Sequence, residues 1–232
     1  MADDVGFPGE TPEYREARNR LLAAEVDLRG RSEATAALRR ALPLGGEIPT
    51  DYIFDEWDAA RGKVRQVRLS ELFGAHDSLF LYSFMFLRGE AGEPVAVPCP
   101  ACTSIIDAID GAAPHFAQRA SFAAVAKAPI EAFSAHAGVR GWRHARLLSS
   151  RHNTYNRDYR TETADEDQLP LANVFVRRGE AIHHFWSSEL FTVPNAAGLH
   201  PRHVDFMWPV WAMFDRTPEG RGDWNPALDY GS

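Results

Sequence analysis

Ser78-Leu79-Phe80-Leu81-Tyr82-Ser83-Phe84-Met85-Phe86 and, after one connection, Cys99-Pro100-Ala101-Cys102 are the segments on which the fold turns. The first is apolar on both faces, the pattern of a central strand covered by helices. The second opens a helix. Proline is favoured at the first helical position, where its missing N–H costs nothing, so Pro100 puts Cys99 at the N-cap. There the sulfur faces unpaired backbone N–H groups and the positive end of the helix dipole, both of which favour thiolate over thiol. Cys99 is the predicted nucleophile. Cys102, one turn further in, is the more buried thiol, placed to resolve a mixed disulfide.

These are the two cysteines of a 232-residue chain, and two other readings of them stay open. A C-x-x-C is half of a structural zinc site, but the second half would bring two more ligands at tight spacing, and His115 and His136 stand alone. The pair can also be inert, as buried thiols or a disulfide. No metal and no cofactor is expected. Lys and Arg number 25 against 32 Asp and Glu, a net charge of −7, which argues against a protein that tracks nucleic-acid phosphates. A thiol or disulfide, on a protein or a small molecule, is the expected partner. The start, Met1-Ala2-Asp3-Asp4, lacks a basic region followed by an apolar one, and no apolar run reaches membrane-spanning length. A cytoplasmic protein is expected, and in that compartment a paired thiol is more readily explained by reaction than by a structural disulfide.

Outward from the centre, Thr11 to Ala41 reads as a helical arm. It is capped by Thr11 with Pro12 at the first helical position, broken near Gly30, and closed by Pro43 with Gly45-Gly46. Tyr52-Ile53-Phe54 and Val64 to Leu69 read as strands around a Gly62 turn, with a helical turn at Ser70 to Phe73. After the Cys99 helix, which stops near Gly111, come a turn near Pro114, a strand Phe122 to Ala126, a helix Pro129 to Ala137 and a strand Ala145 to Leu148. Ser149 to Gln168 is polar and reads as surface. Leu171 to Val176 and Ala181 to Trp186 make a hairpin. The fold class is α/β: a mixed sheet with helices on both faces, a helical arm over 1–48, a domain over 49–190 and a C-terminal extension over 191–232.

In the extension, Trp208, Trp211 and Phe214 with Val210 form an aromatic cluster of the kind that fills a core or a subunit interface. Homodimer contacts are expected through the arm or through this tail. His200 and His203 are separated by Pro201, which excludes a continuous helix and a ligand pair on one helical face. A tail folded over the site would bring His203, oriented by Asp205, to Cys99 as a proton donor. Gly220-Arg221-Gly222 reads as a turn, lacking the strand and Lys-Ser/Thr of a phosphate loop.

The layout resembles the thioredoxin superfamily, in particular its peroxiredoxin-like and membrane-anchored-reductase branch. The approach Val67 to Phe73, the strand ending Leu81-Tyr82-Ser83-Phe84 and the position of the C-x-x-C carry the resemblance. It implies a thiol–disulfide oxidoreductase, with weaker peroxide reduction as a side activity, in which Pro100 and Ala101 border the substrate. It also implies a cis-proline ahead of the hairpin strand, facing the dithiol across the groove, and Pro170 stands in that place. More narrowly, Lys127-Ala128-Pro129, the Arg-rich first helix and Thr217-Pro218-Glu219-Gly220-Arg221-Gly222 resemble a bacterial thioredoxin-like family known only as a domain of unknown function.

Departures are equally specific. Pro98 precedes Cys99 where thioredoxin has Trp, and Ser83 stands where thioredoxin has a buried acid. Ala96 occupies the peroxiredoxin Thr/Ser position, and the Leu87–Pro98 connection is long. A binding or redox-sensing module on the same scaffold is the alternative function.

Overall fold

The computed structural model describes residues 6–58, 60–87, 97–194, 202–220 and 222–230. His200, Arg221, Ala96 and most of the Leu87–Pro98 connection lie outside the described residues. The chain divides into two compact units, with the boundary after Pro43.

The first unit contains helix α1, Pro12–Arg40, 29 residues long. Thr11 caps it by accepting a hydrogen bond from Tyr14 N, with Pro12 in the first turn, as the sequence leads one to expect. The expected break at Gly30 is absent. One interior glycine costs only about 1 kcal/mol, and the surrounding Ala, Leu, Glu and Arg are strong helix formers. No side chain of α1 is buried.

The second unit is built on a seven-stranded mixed sheet. Its strands are β1 (Ile53–Asp58), β2 (Lys63–Arg68), β3 (Ser78–Ser83), β6 (Ser121–Ala126), β7 (Arg146–Ser149), β8 (Ala172–Arg178) and β9 (Ala181–Ser187), in the order β2-β1-β7-β6-β3-β8-β9. A two-stranded ribbon joins β4 (Phe86–Leu87) to β5 (Val97–Pro98). The helices are α2 (Leu69–Leu72), α3 (Pro100–Asp110), α4 (Ala113–Phe116), α5 (Ile130–Arg140), α6 (Tyr155–Asp158) and α7 (Pro209–Phe214). Within the sheet, β3 runs parallel to β6 and antiparallel to β8, and β8 pairs antiparallel with β9. The order β6-β3-β8-β9, with the dithiol helix after β3, is the thioredoxin-like arrangement. No helix among the described residues is long and apolar enough to cross a membrane.

Alternation along β3 divides the core between two faces. Leu79 and Leu81 join Phe54, Phe73, Tyr155 and Phe175 on one side; Tyr82 joins Phe84, Phe133, Ile105, Ile106 and both cysteines on the other. The polar stretch read as surface is only partly so. Tyr155 and Tyr159, one helical turn apart, pack edge-on against Tyr52, and Tyr155, Asn156 and Thr161 are buried. The outer edge of β9 is covered by 45–48. Gly45 N donates to His184 O, His184 N to Gly46 O and Ile48 N to Ile182 O. A Cβ on Gly45 would lie 2.4 Å from the His184 carbonyl oxygen, so this close approach requires glycine.

Candidate active site: the Cys99–Cys102 dithiol

Strand β3 ends at Ser83, earlier than its apolar sequence suggests. Phe84 N still bonds Val125 O, but the chain then turns out of the sheet and Phe86 pairs with Pro98. This turn brings Met85 beneath the dithiol, where its carbonyl accepts from Cys99 N at 3.0 Å. Cys99 is the N-cap of α3 and Pro100 its first residue, as predicted, and Thr103 N closes the first turn on Cys99 O.

The two thiols are unequal. Cys99 is 5% exposed and Cys102 fully enclosed, and neither is in a disulfide. The Cys99 thiol is lowered to about 6, first by its hydrogen bond with the Cys102 side chain and then, against the opposing effect of burial, by the N–H groups of Cys102 and Ala101. Burial and the adjacent Cys99 push Cys102 well above its ordinary value. The lowering favours the thiolate form of Cys99 at neutral pH. No third or fourth metal ligand accompanies the pair among the described residues.

Tyr82 is the neighbour that sequence reading missed. Its hydroxyl donates to Cys102 Sγ at 3.3 Å, and its ring is fully buried. Ser83, placed in the sequence where a buried acid stands in thioredoxin, lies on the opposite face of the sheet toward Tyr155 and Asn173. Ser83 is thus on the right strand but the wrong face: successive side chains of β3 alternate, and Tyr82 is the one that faces the dithiol.

Gln168 is a second missed residue. Its Oε1 accepts from Phe86 N and Lys127 N, and its Nε2 donates to Phe86 O and Lys127 O. One side-chain amide thus stands in for a peptide unit between the ribbon that carries Pro98 and the turn after β6. Lys127 Nζ in turn pairs with Glu162 at 2.6 Å. At the far end of α3, the Asp110 carboxylate accepts from the N–H groups of Arg143, His144 and Ala145. Burial raises this carboxyl, but those three donors outweigh it and hold it below its ordinary value.

The cis-proline expectation for Pro170 is revised, and His203 is found bonded to that proline. No peptide bond among the described residues is cis, so Pro170 is not the cis-proline that the resemblance implies. Leu171 O instead accepts from Ser83 N, which ties the start of β8 to the end of β3 with a trans chain. Pro170 is buried, and its carbonyl is bonded by His203 Nε2 at 3.2 Å. A carbonyl only accepts, so Nε2 carries the proton, and burial lowers the imidazole below its ordinary value. The bond His203 makes is thus a tether to Pro170 rather than one to Cys99. Asp205 Oδ2 accepts from Arg202.

On the other side Trp208 Nε1 donates to Ser104 Oγ on α3, two residues beyond Cys102. The segment 202–208 therefore runs as a strap from Pro170 to α3. Its Val204, Met207 and Trp208 belong to the same buried cluster as the two cysteines. Trp208 packs at a tilt against Trp211 with ring centres 4.5 Å apart. Pro100 and Ala101 are the half-buried residues of the dithiol turn.

No curated protein matches the chain. Among solved structures it is similar to the reduced 2-Cys peroxiredoxin of Plasmodium vivax, at 19% identity over 68% of this chain and 88% of that one, with a TM-score of 0.47. It is also similar to peroxidoxin BcpB of Mycobacterium tuberculosis, at 18% identity over 72% and 94% with a TM-score of 0.46. The Plasmodium yoelii thioredoxin peroxidase I matches at 16% identity over 82% and 100%, with a TM-score of 0.47. A family model matches residues 7–230, and by that match the chain belongs to the family described as "Bacterial protein of unknown function (DUF899)".

Proposed function

We propose that the protein is a thiol–disulfide oxidoreductase whose couple is Cys99–Cys102. The observation that carries this reading is the inequality of the two thiols: one lowered to about 6 at a helix N-terminus, the other buried and raised beside it. That is the division of labour a two-step exchange needs, since the thiolate is the attacking species. Cys99 thiolate attacks a disulfide R–S–S–R′, R′S⁻ departs, and a mixed disulfide forms. Cys102 then attacks Cys99 Sγ and releases RS⁻. Its proton and the one already lost by Cys99 end on the two leaving thiolates. Two electrons pass to the substrate, and Cys99 and Cys102 are left oxidised.

Pro100 and Ala101 border the approach to Cys99. Pro170 meets a substrate only after His203 releases its carbonyl. The test is equilibration across glutathione and dithiothreitol buffers, alkylation of free thiols and a count of labels by intact mass. A single cooperative transition of both thiols is expected, abolished in Cys99→Ser; two free thiols at every potential overturn the reading.

A second reading, a scaffold whose dithiol reports redox state to a binding partner, is favoured by the 5% exposure of Cys99 beneath its neighbours. It predicts the same transition without turnover of a disulfide substrate. Self-association through α1 accompanies either reading, resting on the exposed Leu21, Leu22, Val26, Leu28 and Leu38; light scattering of the full chain and of a variant with these five residues changed to Glu tests it.

A further inference from the structure

We infer that Tyr82 is the group that makes Cys102 able to resolve the mixed disulfide, by holding the Cys102 sulfur with its hydroxyl. This rests on the oxidoreductase reading above and assigns it a residue that no part of the C-x-x-C pattern contains.

Tyr82 lies directly across from Ala124 on β6 and Ala172 on β8. Both neighbours on its face are thus the smallest side chain with a Cβ, which leaves room for a tyrosine ring to stand up from the sheet toward α3. All three residues are fully buried, so the ring is fixed by packing. At its end the hydroxyl reaches Cys102 Sγ at 3.3 Å, within the range of an O–H to sulfur contact.

A buried phenol normally needs a partner, and in this structure the partner of Tyr82 is a sulfur. Burial, followed by the two neighbouring cysteines, keeps the phenol well above its ordinary value, so it retains the proton that it donates to the sulfur. The Met85 N–H faces the same sulfur and acts in the same sense. Among the described residues, the titratable groups that act on the dithiol are Cys99, Cys102 and Tyr82 themselves.

The chemistry follows from the enclosure of Cys102. Its thiol has to become a thiolate to attack Cys99 Sγ, and a bare thiolate in an apolar cluster is strongly disfavoured. Two donors aimed at the sulfur stabilise that charge without water. In the reduced protein the bonds run in series, from Tyr82 O–H to Cys102 sulfur and from the Cys102 thiol to Cys99 thiolate. A donor at the first position therefore also supports the thiolate at the last. In the reverse direction, when an external thiolate attacks Cys99 Sγ of the disulfide, the electron pair of the breaking S–S bond goes to Cys102 Sγ. Tyr82 then stabilises the leaving group.

The size of the effect can be worked out. Losing a charge-assisted bond lowers the Cys102 thiolate population by roughly ten- to a hundredfold. The less stabilised thiolate is the better nucleophile, with a Brønsted coefficient of about 0.4–0.5, which returns about half of that loss on a logarithmic scale. The net slowing of resolution is about three- to tenfold.

The experiment uses the full-length reduced protein and 5,5′-dithiobis(2-nitrobenzoate), which releases one thionitrobenzoate when Cys99 attacks and a second when Cys102 resolves. In the wild type, two unequal phases are expected. In Tyr82→Phe, which keeps the ring, the second phase slows about three- to tenfold and its pH midpoint rises, while thermal unfolding is unchanged. Ser83→Ala, on the other face of the strand, alters neither phase. A Tyr82→Phe second phase with wild-type rate and wild-type pH profile overturns the assignment of Tyr82. A wild type that releases a single thionitrobenzoate overturns the two-step reading itself, whatever the variant does.

Discussion

Replacing Gln168 with alanine should cost about 2 kcal/mol of stability and loosen the dithiol, and the figure can be built from the bonds. Gln168 makes four, two accepted at 3.4 and 3.2 Å and two donated at 3.2 and 3.3 Å. Each is at or beyond the long end of the usual N–H···O range, so each contributes about 0.5 kcal/mol rather than the 1.5 of a short one. Their sum is about 2 kcal/mol. Lys127 is half-buried and its backbone groups regain water in the variant, which keeps the loss from growing much larger.

Gln168→Glu separates the amide's donor from its acceptor. The carboxylate still accepts from the two N–H groups but faces two carbonyls, so this variant should be the less stable of the two at neutral pH. It should recover as pH falls through the carboxyl's value, where a proton restores one donor. Urea unfolding monitored by tryptophan fluorescence gives both numbers, and a loss of 2 kcal/mol lowers the melting temperature by about 4–8 °C for a chain of this size. Because Phe86 pairs with Pro98 and Met85 holds Cys99 N, alkylation of Cys99 should accelerate in Gln168→Ala. A Gln168→Ala variant within 0.5 kcal/mol of wild type, or a Gln168→Glu variant more stable than it, would refute the bridging role.

Cys102→Ala removes the largest influence on Cys99, so the pH midpoint of iodoacetamide labelling should move up from about 6; an unmoved midpoint would assign the lowering to the helix N-terminus alone. The lowered Cys99 also links stability to pH. The folded reduced chain releases this proton near 6 and the unfolded chain near 9, so the contribution is fully present above the ordinary thiol value and lost as pH falls through about 6. Denaturant midpoints of the reduced protein should show that slope, and Cys99→Ser should not. Asp110→Ala should cost about 1–2 kcal/mol at pH 7 through its three backbone donors, a difference that vanishes as pH falls below the ordinary carboxyl range, because the folded value is the lower one. Gly45→Ala should free the 45–48 segment from β9, read as faster amide exchange at Ile48 and His184.

The parts of the site that the sequence disclosed are those set by local rules. A proline one position after Cys99 fixes the helix start, the apolar run before it reads as a central strand, and the Arg177-Arg178-Gly179-Glu180 turn marks the hairpin. What stayed hidden depends on where a strand stops. Tyr82 and Ser83 are adjacent and point to opposite faces, and only the exit of the chain after Ser83 shows that Tyr82 is the one under Cys102. Gln168 gives no signal, since a polar residue in a polar stretch has no periodicity to betray four long-range bonds. Tyr155 and Tyr159 stand among Arg, Asn and Asp in a polar stretch, and those neighbours masked their burial. Gly30 and Pro170 are positions where a residue permits a break or a cis bond and the surrounding chain does not use it.

Helix α3 is held at both extremities, through Cys99 N on Met85 O and through Asp110 on the amides of 143–145. A rod clamped at each end cannot slide, so oxidation of its first turn has no axial route by which to inform the rest of the protein. The strap lies across that turn instead, tied to Pro170 through His203 and to Ser104 through Trp208. News of the dithiol's state would leave the molecule sideways, through the tryptophans of the C-terminal segment, and their fluorescence becomes a built-in gauge of the couple.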